Sequence, residues 1–228
     1  MKPLLTKSED QDSLQNLGRA SVQIVHDLKN QLNGLKLYAT FLRRRMEKSD
    51  RPSDEQETVA KLMSGLERAA SDLSTLVQYG RPIELKKQPG VDLHKLLRAV
   101  LSSFADANRA TGQLTGVFLL DPPSGSLLGE FDPVQLSEAL KFISIGAMKI
   151  RQAVEKESTL QITMQSDESR LLAIIEWLGL NRLDHDPFSS FVGSDEIRMS
   201  LAAKIIGEHG GTAAHTANSL CVRLPLGN

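Results

Sequence analysis

The chain has 228 residues, 40% of them hydrophobic and 24% charged, with a formal net charge of -1: room for one large domain or two small ones, and no general attraction to nucleic acid or an anionic membrane surface. Its one cysteine, Cys221, excludes a disulfide framework and a cysteine-based zinc site, and a reducing cytoplasm is the expected location. The opening MKPLLTKSEDQDS lacks the apolar run of a secretion signal, and no stretch reaches the roughly 18 apolar residues of a membrane span, so no membrane partner is expected.

Leu14, Ser21, Leu28, Leu35 and Leu42 recur every seven residues, with Leu17, Ile24, Val25, Leu32, Tyr38 and Ala39 beside them. This spacing predicts a long helix from about 13 to 48 with an apolar seam. At roughly 1.5 Å per residue it is about 50 Å long. SDRPSDEQ interrupts it, and Ser53 with Gln56 three residues on has the form of a capping box. A second helix is predicted from about 54 to 79, with Val59, Leu62, Met63, Leu66, Ala69, Ala70, Leu73, Leu76 and Val77 on its apolar side, closed by the GRP at 80–82. Two such helices cannot bury both stripes alone. A second copy can, by completing a four-helix bundle, so a homodimer is expected.

From residue 81 the pattern changes. PIELKKQ is short and strand-like. Residues 92–108 predict a helix with Asp92 as its cap. LTGVFLL (114–120) and SLLGEF (126–131) predict strands. Residues 132–156 predict a helix with Pro133 in its first turn. TLQITMQS and LLAIIEWLG predict paired strands around a polar turn, 194–211 a helix stopped by glycines, and TAAHTANSLCVRLPL a closing hairpin. The expected fold class is α+β: a helical hairpin over 1–80, then an α/β sandwich over 81–228 with helices on one face of a layered sheet.

The chemistry concentrates in HDLKN. With Leu28 on the seam, His26 falls on the outward side, and Asn30 is its neighbour one turn on. An exposed imidazole titrates near neutrality and carries a nucleophilic nitrogen. The adjacent Asp27 can fix its tautomer and stabilise the cation formed on attack, and the Asn30 amide can position a water or a phosphoryl oxygen.

HDLKNQLNGLKLYATFL, followed by a second helix and an α/β half, resembles the histidine kinases of two-component signalling over nearly the whole chain. His26, Asp27, Asn30 and Leu32 match the H-box of their dimerisation and phosphotransfer domain. The resemblance implies that His26 is the phosphoacceptor, Asp27 its acidic assistant and Asn30 the water-positioning amide. The second half resembles their GHKL-type ATP-binding domain in a degenerate form. FDPVQLSEALKFISIGAMKI follows the pattern DPxxLxxALxNLLxNAxKY, with Phe142 and Gly146 where the asparagines stand. The second asparagine would help hold magnesium, which glycine cannot do. In place of the DxGxG aspartate that reads adenine stands Trp177, or a residue near it. Glu196 and Arg198 replace phosphate-cradling glycines, whose role is to let backbone N–H groups approach the phosphates. Scaffold positions persist, among them Leu136, Ala139, Leu140, Ala147, Lys149, Leu201 and the His209–Gly210–Gly211 tail.

The resemblance therefore implies a dimeric histidine phosphotransferase. It would bind no ATP and no cofactor of its own, and it would exchange a phosphoryl group with receiver aspartates whose magnesium is held by the receiver. Docking is expected around His26, at Ala20, Gln23, Gly34, Leu73 and Val77. Alternatives are a receiver-binding pseudokinase, a response-regulator phosphatase using Asn30, and, lowest, an ATP-dependent kinase. The basic run LRRRMEK suits a helix C-terminus or an acidic partner. Trp177 and Cys221 are expected in the core. His94, His185, His209 and His215 show no metal-ligand spacing.

Overall fold

The computed structural model describes residues 25, 28–46, 53–111, 117–120, 127–152, 159–167, 169–181, 185–191 and 193–227. The chain divides into two compact units, Met1–Pro82 and Ile83–Asn228.

The first unit contains helix α1 over 28–46 and helix α2, Ser53–Gly80. Lys36 of α1 reaches Glu67 of α2 at 3.0 Å, and Ala39, Met63, Thr75 and Val77 are buried. The heptad leucines behave otherwise. Leu28, Leu35 and Leu42 are exposed, the last two at 52% and 55%, and Leu62, expected on the apolar side of α2, is exposed at 56%. The seam of the sequence pattern is thus a surface of the single chain, while Ala39, off the leucine positions, is the buried residue of α1.

In the second unit the elements run β1 (Gln88–Asp92), α3 (Leu93–Thr111), β2 (Val117–Leu120), β3 (Leu128–Phe131), α4 (Pro133–Gln152), β4 (Thr159–Asp167), β5 (Leu172–Leu178), α5 (Ser194–Glu208), β6 (Thr212–His215) and β7 (Leu220–Pro225). The helices lie where their periodicity put them. Asp92 caps α3 by accepting from the N–H groups of His94 and Lys95 at 3.0 and 3.2 Å. PIELKKQ is not a strand. Pairing with β3 starts at Gln88, in an antiparallel ribbon irregular between Gln88 and Val91, where Gly90 has φ 70°. Pro89 offers no N–H, which confines this strand to an edge. The sheet is accordingly split: β1–β3 form a ribbon of their own, and the main sheet has the order β2-β4-β5-β7-β6, antiparallel except for the parallel β2–β4 pair.

Alternation decides which face is core. On β5, Ala173, Ile175 and Trp177 are buried. They pair across the sheet with Ser166, Met164 and Ile162 of β4 and with Leu224, Val222 and Leu220 of β7. Leu136, Ala139, Leu140, Ile143, Ala147 and Met148 give α4 one buried face, at helical spacing. Burial on α5 extends around the helix: Ile197, Met199, Ser200, Leu201, Ala202, Ile205 and Ile206 are all buried. Gly210, with φ 79°, turns the chain out of α5 as a left-handed C-terminal residue, a conformation glycine adopts without strain. Cys221 is buried, and burial pushes its thiol above the ordinary range.

His209 joins three segments. Its ring Nδ1–H donates to the Ile205 carbonyl at 2.8 Å, and Nε2 accepts the Asp132 N–H at 3.0 Å. The Asp132 carboxylate in turn accepts the N–H groups of Lys86, Val134 and Gln135 at 2.8–3.0 Å, which caps α4. Burial works against the Asp132 charge, yet these three donors hold its carboxyl below the usual range. Burial depresses His209 below its ordinary value, outweighing the Ile205 hydrogen bond. The imidazole is therefore neutral in the fold, while the unfolded chain takes up a proton below about pH 6.5. The stability tied to neutral His209 is complete above that pH and is lost as pH falls toward the folded value, with a slope of at most about 1.4 kcal/mol per pH unit. Urea unfolding between pH 7.5 and about 5.5 is expected to show a shallower loss in His209→Gln than in the parent; parallel profiles would assign the slope to other groups.

Candidate functional site

His26, Asp27, Ala20 and Gln23 lie outside the described residues. Of the remaining residues of the expected phosphotransfer site, Asn30 is exposed on α1. Gly34 is half-buried, and no heavy atom lies within 4 Å of where its Cβ would be, so a side chain there meets open space. On α2, Leu73 is half-buried and Val77 buried. Three residues the sequence reading passed over share the Asn30 face. Asn33, Leu37 and Phe41 follow Asn30 at three- and four-residue steps and are exposed, Leu37 at 55% and Phe41 at 56%. The available signal was register: Leu37 and Phe41 are large apolar residues off the heptad seam.

In the second unit, three of the places where the motifs depart from the resemblance are filled by packing or paired side chains. Gly146 of α4 is buried, and a Cβ there would overlap Met199 Sδ of α5 and stand 3.0 Å from its Cγ. A glycine inside a helix costs about 0.5–1 kcal/mol relative to alanine. Here it admits Met199, itself 2% exposed, into the space a side chain at 146 would need. The second place holds Trp177, fully buried, whose indole N–H donates to Ser144 Oγ of α4 at 3.1 Å. It carries no anionic oxygen to accept from an amine. The third place is the start of α5. His185 Nε2 lies 2.8 Å from Glu196 Oε1, and Ser190 Oγ donates to Glu196 Oε2. Lys149 Nζ of α4 donates to both oxygens of Asp195, at 2.8 and 2.7 Å, and Arg198 approaches the same carboxylate at 3.4 Å. Around them, Arg151 donates to the Gly179 carbonyl, and Asn181 donates to that of Ile150 at 2.7 Å. Phe142, at the first asparagine position, lines a separate open groove between α3 and α4 with Ala99, Val100 and Val134.

Sequence reasoning placed the substitutions but not their partners. Nothing in the one-dimensional pattern pairs Gly146 with Met199 or Lys149 with Asp195, since each pair joins α4 to α5 across β4 and β5. His185 and His215 meet carboxylates, His215 Nδ1 lying 3.2 Å from Asp186. Among the described residues no group of three or more histidine, cysteine or acidic side chains is arranged to hold a metal ion, and no helix is long and apolar enough to cross a membrane.

No protein-family model matches the sequence, and no curated protein does. Solved structures do match. The histidine kinase AdeS of Acinetobacter baumannii aligns with a TM-score of 0.59 over 89% of this chain and 98% of its own, at 16% identity. ShkA, solved full-length in complex with AMPPNP, aligns at 0.63 over 89% of this chain, at 16% identity; the chain spans 44% of ShkA. The histidine kinase ThkA, in complex with the response regulator protein TrrA, aligns at 0.61 over 98% of this chain and 68% of its own, at 17% identity. At these identities the likeness is one of fold. The chain has the histidine-kinase architecture, a helical hairpin followed by an ATPase-like α/β unit.

The Gly146–Met199 packing has a direct mutational consequence. Gly146→Asn, the residue of the motif, forces an amide into a filled core and is expected to cost about 3 kcal/mol in urea unfolding. Met199→Ala in the same background is expected to recover part of that loss, because the two sites share one space. A Gly146→Asn variant as stable as the parent would contradict the packing.

Proposed function

We propose that the chain is a dimeric histidine phosphotransferase of a two-component phosphorelay, loaded and unloaded by receiver domains rather than by ATP. The observation that carries this reading is Met199 in the space at Gly146, on an architecture whose relatives include a kinase complexed with AMPPNP. A nucleotide with its magnesium needs an amide or carboxylate at 146, an acceptor at 177 and backbone approach at 196–198. The residues present offer a filled space, an indole and a pinned carboxylate, so they do not fit the group.

In this reading the His26 imidazole attacks the phosphorus of a receiver's aspartyl phosphate. An N–P bond forms, the O–P bond breaks, and the aspartate leaves as its carboxylate. The reverse step charges the next receiver. Asp27 stabilises the cationic ring, Asn30 holds a phosphoryl oxygen, and magnesium stays on the receiver. The ThkA–TrrA complex shows a kinase of this architecture binding a response regulator, which supports receivers as the partner class. In this reading a second copy covers Leu28, Leu35 and Leu42, and their exposure on the single chain supports it.

Purified chain is to be incubated with phosphorylated receiver domains, and acid-labile, base-stable label followed. Label is expected on the parent and is expected to vanish in His26→Ala. Asn30→Ala is expected to keep its label but exchange it more slowly. Receivers that lose phosphate with no label on the chain, in an Asn30-dependent way, would replace transfer by a phosphatase; binding without either would replace it by a scaffold. Independently, Leu35→Glu with Leu42→Glu is expected to halve the mass seen in sedimentation. A parent chain that sediments as a monomer would remove the dimer.

A further inference from the structure

The first turn of α5 carries two consecutive carboxylates, Asp195 and Glu196, and each is engaged from a different part of the second unit. Asp195 is gripped at both oxygens by Lys149, 46 residues away on α4. Glu196 meets His185, 11 residues away, at one oxygen and the Ser190 hydroxyl at the other. Ser200 Oγ donates to the Ser190 carbonyl at 2.8 Å, which fastens the same segment one turn further along the helix. The α5 N-cap, Gly193, has no side chain with which to cap the turn. The positive end of a helix dipole favours anions, and phosphates commonly bind there. Here the protein's own side chains supply the negative charge, and cationic and hydroxyl groups close around them.

We propose that Asp195 and Glu196 are built-in anions. They take at the start of α5 the place that a bound phosphate takes at a helix N-terminus, and they clamp α4 and the 185–190 segment to α5 with no ligand required. This rests on the reading of the second unit as one that does without nucleotide, and it adds what replaces the nucleotide: an internal ion-pair clamp. An ordinary surface ion pair contributes little. This one joins elements far apart in sequence, beside the Gly146–Met199 contact, so its loss is felt as loosening of the α4–α5 layer.

The test is thermal unfolding of the full chain at low salt for the parent, Lys149→Gln, Asp195→Asn and their combination. Each single change is expected to lower Tm by about 2–4 °C, and the combination to lower it no further than either alone. Additive or absent effects would overturn the clamp. In the Asp195→Asn/Glu196→Gln variant, millimolar pyrophosphate is expected to raise the lowered Tm while leaving the parent unmoved. An equal rise in both, or no response in the variant, would overturn the phosphate-like placement. If that variant does not fold, the Lys149–Asp195 cycle alone decides the clamp. Transfer from receivers to His26 is read separately, so a failed clamp and a failed phosphotransferase give different results.

Discussion

At Gly146, α4 has no side chain, and Met199 of α5 fills the space one would take. That contact sets how near the two helices come. With both residues buried, a ligand entering there would have to displace packed side chains, which are nearly as dense as an organic crystal. The neighbouring features follow the same constraint. Trp177 spans from β5 to Ser144 of α4, and Lys149 and Asp195 tie the two helices at their polar ends. The α4–α5 layer is joined by apolar packing, one indole hydrogen bond and ion pairs.

The phosphoryl group of His26, in the proposed reading, comes from a receiver and not from a nucleotide on the second unit. In the proposed reading this explains why the H-box residues stay together while the nucleotide motifs do not. Transfer from an aspartyl phosphate needs a nucleophile, an orienting carboxylate and a docking face, all of which one helix can carry. The exposed strip of Asn30, Asn33, Leu37 and Phe41 adds apolar area to one face of α1.

Much of the fold was legible because it rests on periodicity. The helices from Leu93, Pro133 and Ser194 and the strand pair around 168–171 carry apolar residues at helical or alternate spacing, and Asp92 and Pro133 announce two helix starts. The ribbon at Gln88 was not legible, since QPGVD combines a proline and a glycine that argue against a strand, and only its edge position tolerates them. At the candidate site, the missing amide at 146 and the missing glycines at 196 and 198 could be read directly. Their replacements could not: Met199, His185 and Ser190 look like core and loop residues until the fold brings α4, β5 and α5 together. His209 is a similar case, since its role depends on Asp132, 77 residues earlier.

The account stands most directly on the absence of a nucleotide site, and Trp177, the one tryptophan, reports on it from the place in question. Magnesium–ATP and magnesium–ADP are to be titrated onto the full chain, with heat and Trp177 emission followed together. The account predicts no saturable heat and an emission maximum that stays at its buried, short-wavelength position. A saturable heat accompanied by a shift of the Trp177 emission would contradict it, and would return the second unit to the nucleotide-binding members of its fold.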